Sequence, residues 1–177
     1  MAENGASDVW AKLLRQLRDD KIDFVVIGGA ALALHGLPRT TLDVDIVVSA
    51  QALGDLFRAL QDRLALATDQ AAMRGLAVTP DLAIGQCLSF HAPGGADVLD
   101  VFLESAAVMN ELLADAETVQ MGGVAVPVAS LARLRAMKLA IARPIDLADV
   151  QMIDELTALL DANSRPPGPS GASSQSR

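Results

Sequence analysis

The segment from Phe24 to Val48 constrains the fold more than any other part of the chain. Phe24-Val-Val-Ile27 is a short apolar run, Gly28-Gly29 interrupts it, and 30–35 is rich in Ala and Leu. Asp43-Val-Asp45-Ile-Val-Val48 is a second apolar run that opens on two carboxylates. A short apolar run suits a buried strand, and the alanine-rich stretch ended by Gly36 and Pro38 reads as a short helix. Residues two apart on a strand point to one side, so Asp43 and Asp45 are expected to share a face. Two aspartates side by side repel unless a cation or a proton sits between them, and Mg²⁺, which takes oxygen ligands, suits such a pair. Gly28-Gly29 stands just before a helix N-terminus, where backbone N–H groups without partners favour a phosphate. Metal-binding acids beside a phosphate cradle point to chemistry on a nucleoside triphosphate.

The remaining pattern extends this unit. Ser7 or Asp8 caps a first helix to about Asp20, with Val9, Leu13, Leu14 and Leu17 as its apolar stripe. A helix over 51–64 carries Leu53, Leu56, Phe57 and Leu60 on one side. Residues 65–83 have no clear period; 67–73 reads as a short helix and Thr79-Pro80-Asp81 as a turn. Two hairpins follow, 86–91 with 96–103 around Pro93-Gly94-Gly95, and 118–121 with 124–128 around Gly122-Gly123. Helices are expected over 105–113, 130–142 and 146–162. This order gives an α+β fold, a mixed sheet with helices packed on it and a helical C-terminal part. The expected boundaries are one domain over 1–162 (core 22–128, C-terminal helices 130–162) and a disordered Ser-, Pro- and Gly-rich tail over 163–177.

Composition narrows the function. Aromatic residues make up 3% of the 177 residues and Tyr is absent, so a nucleic-acid surface built on stacking is disfavoured. The net charge of -8 argues against a non-specific grip on a phosphate backbone, though it leaves room for a local basic patch. The single cysteine, Cys87, excludes an internal disulfide and reads as a buried small hydrophobe in an apolar strand. With two histidines besides, a zinc site is disfavoured. The N-terminus has no basic segment followed by an apolar one, and no apolar run approaches about 20 residues, so a cytoplasmic protein without a membrane span is expected.

A third carboxylate stands in Asp97-Val-Leu-Asp100-Val-Phe102. Asp100, between apolar neighbours in mid-strand, is costly to bury unless paired or bound to a metal. Asp97 lies three residues away, which on a regular strand puts it on the opposite side, and it reads as a solvated strand end. His35 at a helix end reads as structural. His91 lies at a hairpin end near Asp100.

With these residues in place, the chain resembles the nucleotidyltransferase superfamily with the DNA polymerase beta-like fold. That pattern is a hydrophobic residue with Gly-Gly or Gly-Ser, then Asp-x-Asp, then an acid between hydrophobic residues on a later strand. Here these are Ile27-Gly28-Gly29, Asp43-Val44-Asp45 and Leu99-Asp100-Val101. Gly36, Arg39 and Thr40 resemble the Gly-x-x-Arg-x-Thr-x-Asp-x-Asp version found in AbiEii-like toxin nucleotidyltransferases and small stand-alone relatives. Toward the C-terminus, Lys138, Arg143, Asp146 and Asp149 resemble that group's lysine helix followed by Arg-x-Lys-Asp-x-x-Asp; Pro144-Ile145 stands in place of x-Lys, so one basic group is missing. The resemblance covers roughly residues 22 to 160.

The resemblance implies Mg²⁺-dependent transfer of a nucleoside monophosphate from an NTP, such as ATP, to a hydroxyl, with release of pyrophosphate. Asp43, Asp45 and Asp100 would be the catalytic, metal-binding residues of a two-metal site, and Asp100 the general base. Gly28, Gly29, Arg39, Thr40 and Lys138 would bind the nucleotide. The acceptor is open: RNA or tRNA as in toxin relatives, or a small molecule such as an aminoglycoside. Arg15, Arg18, Arg39, Arg133, Arg135, Lys138 and Arg143 gathered into one positive face would favour RNA; a cleft acidic beyond the three aspartates would favour a cationic small molecule. An antitoxin protein is the implied partner. A catalytically inactive nucleotide-binding module of the same fold, and a plain scaffold with fortuitous acids, remain as alternatives.

Overall fold

The computed structural model describes residues 4–164. Seven strands form one mixed sheet. In chain order they are β1 (Phe24–Ile27), β2 (Val44–Ser49), β3 (Ala65–Leu66), β4 (Cys87–His91), β5 (Asp97–Glu104), β6 (Glu117–Met121) and β7 (Val124–Val128). The α-helices are α1 (Asn4–Asp19), α2 (Gly28–Leu34), α3 (Leu53–Leu60), α4 (Ala106–Asp115), α5 (Leu131–Ile141) and α6 (Pro144–Ser164). The sheet order is β3-β4-β5-β2-β1-β7-β6, so the expected α+β architecture is the observed one. Two compact units divide the chain, Met1–Leu134 and Arg135–Arg177. No helix among the described residues is long and apolar enough to cross a membrane.

The first unit holds the whole sheet. All four residues of β1 are buried, as expected of a strand covered on both faces. β1 runs antiparallel to β2 and parallel to β7, and β2 runs parallel to β5. Helix α4 packs on β1 and β2, while α1 packs on β7 and α3. Gly122, at the β6–β7 turn with φ +54, approaches α1 so closely that an added Cβ would stand 2.7 Å from the Ala11 Cβ. On α3, Leu53, Leu56, Phe57 and Leu60 are buried as their spacing requires.

Several local expectations change. Helix α1 begins at Asn4, a turn before the expected caps, and Val9 is exposed while Trp10 joins Leu13, Leu14 and Leu17 in the core. Residues 65–83 form a two-residue strand and two 3₁₀ segments, Thr68–Val78 and Pro80–Ala83. A three-residue repeat leaves no 3.6-residue stripe to read. Helix α6 starts at Pro144 and runs to Ser164. Beyond Ser164, the expected tail lies outside the described residues.

Candidate active site

The registers of β1, β2, β5 and β4 set four residues in one row. Ile27 is opposite Asp45, Asp45 opposite Asp100, and Asp100 opposite Ser89. Adjacent strands are about 4.8 Å apart, so Asp45 and Asp100 leave neighbouring backbone positions on the same side of the sheet. Both are half-buried. The other side of β5 carries the buried Leu99, Val101 and Leu103, and the other side of β4 carries Leu88 and Phe90. Apolar burial on one side thus holds the acids on the opposite, open face.

Gly28 follows directly on β1 with φ +65, a conformation that favours glycine. A Cβ added there would overlap the Asp45 carboxylate, 2.7 Å from its Cγ. Gly29 is nearly as tightly placed, since its added Cβ would stand 3.1 Å from the Thr41 Cβ and 3.7 Å from the Arg39 Cγ. The Arg39 side chain therefore passes close to this turn. Helix α2 has no side-chain cap, because the residue before it is Ile27.

Asp43 departs from the strand expectation. It sits in a bend one residue before β2, so strand alternation no longer sets its direction. Thr41 holds it instead: the Thr41 hydroxyl lies 2.9 Å from Asp43 Oδ1 and 3.2 Å from its carbonyl oxygen. Thr40 is exposed. Thr41 was not singled out from sequence, although a Thr two residues before an Asp is a recognisable local hydrogen-bonding pattern.

A β-bulge corrects the reading of Asp97. Phe90 pairs with Leu99, but His91 pairs with Asp97, leaving Val98 as the extra residue on β5. The inserted residue reverses the alternation, so Asp97 returns to the face of Asp100 and the His91 Nδ1 lies 2.7 Å from Asp97 Oδ1. Cys87 also differs from expectation: it is half-buried on the open face rather than in the core. Burial, then the charges of Asp100 and Asp45, push its thiol up to about 11, so it is a poor nucleophile. His35 is structural as expected, with Nε2 2.8 Å from the Ala129 carbonyl oxygen.

The second unit contains its own charged cluster. Lys138 Nζ lies 3.2 Å from Asp146 Oδ1 and 2.8 Å from Asp149 Oδ2, and all three side chains are buried. Arg143 adds a bond from Nε to Asp146 Oδ2 at 2.7 Å, and its backbone N–H donates to the same oxygen at 3.2 Å. Asp146 is the third residue of α6 and reaches back to Arg143, the return half of a capping box. Arg143, with Lys138 adding to it, holds the Asp146 carboxyl well below the usual carboxylate range against the opposing effect of burial. Other arginines expected to form a positive face also meet acids: Arg133 is 3.5 Å from Asp115 and Arg135 2.6 Å from Asp154.

Mg²⁺ suits the donor set of the first unit. Its carboxylates stand on adjacent strands, and that of Asp45 packs against Gly28 in the place a Cβ would take. Among the described residues no group of three or more His, Cys, Asp and Glu is drawn together tightly enough to hold a metal by itself. A site with one or two carboxylates, completed by substrate phosphates and water, is compatible with how Mg²⁺ is bound.

The model of a protein family described as "Nucleotidyl transferase AbiEii toxin, Type IV TA system" matches residues 12–162. No curated protein matches the sequence. Among solved structures, a Thermotoga maritima protein assigned as a nucleotidyltransferase is 17% identical, with a TM-score of 0.58 over 92% of this chain and 96% of that one. An antigenic nucleotidyltransferase-like protein from Paracoccidioides brasiliensis is 18% identical, with a TM-score of 0.58 over 88% of this chain and 78% of that one. ANT(2")-Ia, solved with adenylyl-2"-tobramycin, is 11% identical, with a TM-score of 0.57 over 89% of this chain and 95% of that one. At these identities the likeness shows a shared fold.

Proposed function

Because the chain belongs to the AbiEii nucleotidyltransferase family, we propose that it transfers a nucleoside monophosphate from an NTP to an acceptor hydroxyl and releases pyrophosphate. The observation that carries this reading is the shared row of Asp45 and Asp100, with the Asp45 carboxylate packed against the Gly28 turn. Asp45 and Asp100, with Asp43 at the entrance to β2, would hold Mg²⁺. When bound, the metal supplies neutralisation of the triphosphate charge and a more acidic acceptor hydroxyl.

The chain's own residues do the rest. Gly28 and Gly29 admit the triphosphate against the backbone at the start of α2, where Ile27 offers no side-chain cap. Arg39, beside Gly29, supplies positive charge for the phosphates. Asp100 takes the proton of the acceptor hydroxyl as its oxygen bonds to the α-phosphorus and the bond to pyrophosphate breaks. Thr40, which is exposed, is a lesser member of the nucleotide site, whereas Lys138 is engaged by two carboxylates of its own unit.

The test is pyrophosphate release with each NTP and Mg²⁺, wild type beside Asp43→Ala, with total RNA and a panel of small hydroxyl compounds offered in turn. Release that depends on Asp43 supports the transferase. NTP binding without release under any condition supports the inactive module instead. A co-expressed antitoxin that suppresses release would identify the partner the family implies.

A further inference from the structure

Strand directions bring a second set of polar residues to the end of the sheet where Gly28 lies. Going back along the chain from Asp45 leads to Asp43, and from Asp100 to Asp97, while Ile27 leads on into Gly28. Because β1 runs antiparallel to β2 and β4 antiparallel to β5, Gly28, Asp43, Asp97 and His91 all stand at that one end. The bulge completes the set: with Val98 as the extra residue, Asp97 turns to the face of Asp100 and opposite His91. Bulges are frequent beside active sites, where they re-aim a side chain. The hairpin beyond is closed by the Ala92 N–H bonding the Ala96 carbonyl oxygen and the Gly95 N–H bonding the Ala92 carbonyl oxygen, both at 2.9 Å, which fixes the pair in place.

The His91 ring is divided between protein and solvent. Its Nδ1 is buried and lies 2.7 Å from Asp97 Oδ1, yet 28% of the side chain is exposed, so the exposure falls on the part of the ring away from Nδ1. A carboxylate facing Nδ1 keeps the proton of a neutral imidazole on that nitrogen and leaves the Nε2 lone pair available. On the other flank β3 places Ala65 opposite His91, and its methyl is too small to cover the ring. Ser89, two residues back on β4, is opposite Asp100. The His91 and Asp100 backbones are therefore about 8 Å apart on one face, a span that the two side chains together can close. The charged groups that the strands set around His91 are Asp97 and Asp100, both from β5; β3 adds none.

Resting on the nucleotidyl transfer proposed above, we infer that His91 is the proton outlet of the site: its Nε2 receives from Asp100 the proton of the acceptor hydroxyl, and Asp97 is the positioning residue that orients the ring. A carboxylate that lends oxygens to Mg²⁺ holds a proton weakly, so Asp100 needs a group to pass it to. The O–H bond of the acceptor breaks as its oxygen bonds to the α-phosphorus. The bond from that phosphorus to the pyrophosphate oxygen breaks, and its electron pair leaves with pyrophosphate. The proton moves to Asp100 and on to Nε2, giving an imidazolium that faces the Asp97 carboxylate. The exposed part of the ring then returns the proton to water.

The experiment gives the full chain Mg²⁺ and each of the four NTPs labelled at the α-phosphate, with water, glycerol and a tRNA mixture as hydroxyl sources. His91→Ala should lower kcat about 10²-fold and leave NTP binding unmoved. Added imidazole should restore at least a tenfold part of that loss in His91→Ala and do nothing for Asp97→Ala, which keeps its own ring. Asp97→Ala should lower kcat about tenfold; with the Asp97 side chain 68% exposed, its truncation spares the fold. A second readout needs no turnover: nitrogen NMR of the histidines without nucleotide, at pH 8.5, should show His91 with its proton on Nδ1, and Asp97→Ala should shift that proton toward Nε2. Unchanged kcat in His91→Ala overturns the inference and leaves nucleotidyl transfer standing. A loss that imidazole does not rescue, or a tautomer indifferent to Asp97→Ala, also overturns it. Bound NTP with no turnover on any hydroxyl source removes the transferase reading, and this inference with it.

Discussion

The molecule holds two sets of carboxylates, and it treats them in opposite ways. In the second unit, Asp146 and Asp149 are buried around Lys138, with Arg143 closing the set from the start of α6. In the first unit, Asp45 and Asp100 stand on strands that contain no Lys or Arg, with the Asp45 carboxylate against a glycine whose missing Cβ makes room for it. Burial of a charge is tolerable when opposite charges and hydrogen bonds satisfy it locally. Acids satisfied in this way hold a helical turn together. Acids kept next to one another on an accessible face, where they repel, retain the capacity to bind something brought from outside.

Exchanging charge for an isosteric amide tests that contrast most strongly. Asp100→Asn should lower transfer by about 10³-fold, because it removes both a metal ligand and the proton acceptor. It should leave stability unchanged or slightly raised, since it relieves repulsion with Asp45. Asp146→Asn should do the reverse, costing about 3–5 kcal/mol in urea unfolding by leaving buried Lys138 short of a counter-charge, with the NTP KM unaltered. Lys138→Met belongs to the same test: lost stability with an unchanged NTP KM assigns it to the cluster, and a raised KM in folded protein assigns it to the nucleotide.

The pH dependence of the second unit follows from the same cluster. Native Asp146 gives up its proton below the range in which an unfolded aspartate, near 3.9, does so. The unfolded chain therefore binds more protons than the native one in acid, and the stabilisation is fully present above about pH 5 and drains away as pH falls through the folded value. Stability measured from pH 6 down to 3 should fall less steeply in Asp146→Asn than in wild type.

Cys87 reports on the first unit without any need for activity. Its thiol, pushed up to about 11, has roughly 100-fold less thiolate at pH 8 than a thiol at its ordinary value, so alkylation should be slow. Asp100→Asn should speed it several-fold by removing one of the negative charges, while burial keeps it below the rate of a free thiol. No change in rate would mean that Cys87 does not face the acids, and the open face described above would need redrawing.

What was legible in sequence divides along physical lines. The apolar runs of β1 and β2, both glycine-turn hairpins and the buried stripe of α3 follow from periodicity and turn chemistry, and the structure has them. The row that joins Asp45 to Asp100 was legible only as a motif, because pairing between distant strands leaves no local trace. Alternation failed at Asp97, where Val98 is an extra residue that only the partner strand reveals. It also failed at Asp43, which stands before the strand and takes its direction from Thr41. Phe102 stands two residues beyond Asp100, and the register puts it on the same face. Residues 65–83 resisted because 3₁₀ turns impose no helical stripe.

The finest test of the contrast lies in two left-handed backbone positions, one in each unit. Gly28 has φ +65 and Ala142 has φ +56. At Gly28 a methyl would collide with Asp45, so Gly28→Ala should cost both stability, by more than about 1 kcal/mol, and NTP binding. Ala142 follows α5, where the left-handed residue that ends a helix is most often glycine, and its N–H already bonds the Lys138 carbonyl oxygen at 2.8 Å. Only the intrinsic cost of a Cβ at positive φ is at stake there, so Ala142→Gly should stabilise the protein by a few tenths to about 1 kcal/mol. Thermal unfolding of the two variants side by side should therefore move in opposite directions. A glycine retained for the space it leaves differs from an alanine tolerated in a strained turn, and a stabilising Gly28→Ala would show that the space beside Asp45 is incidental.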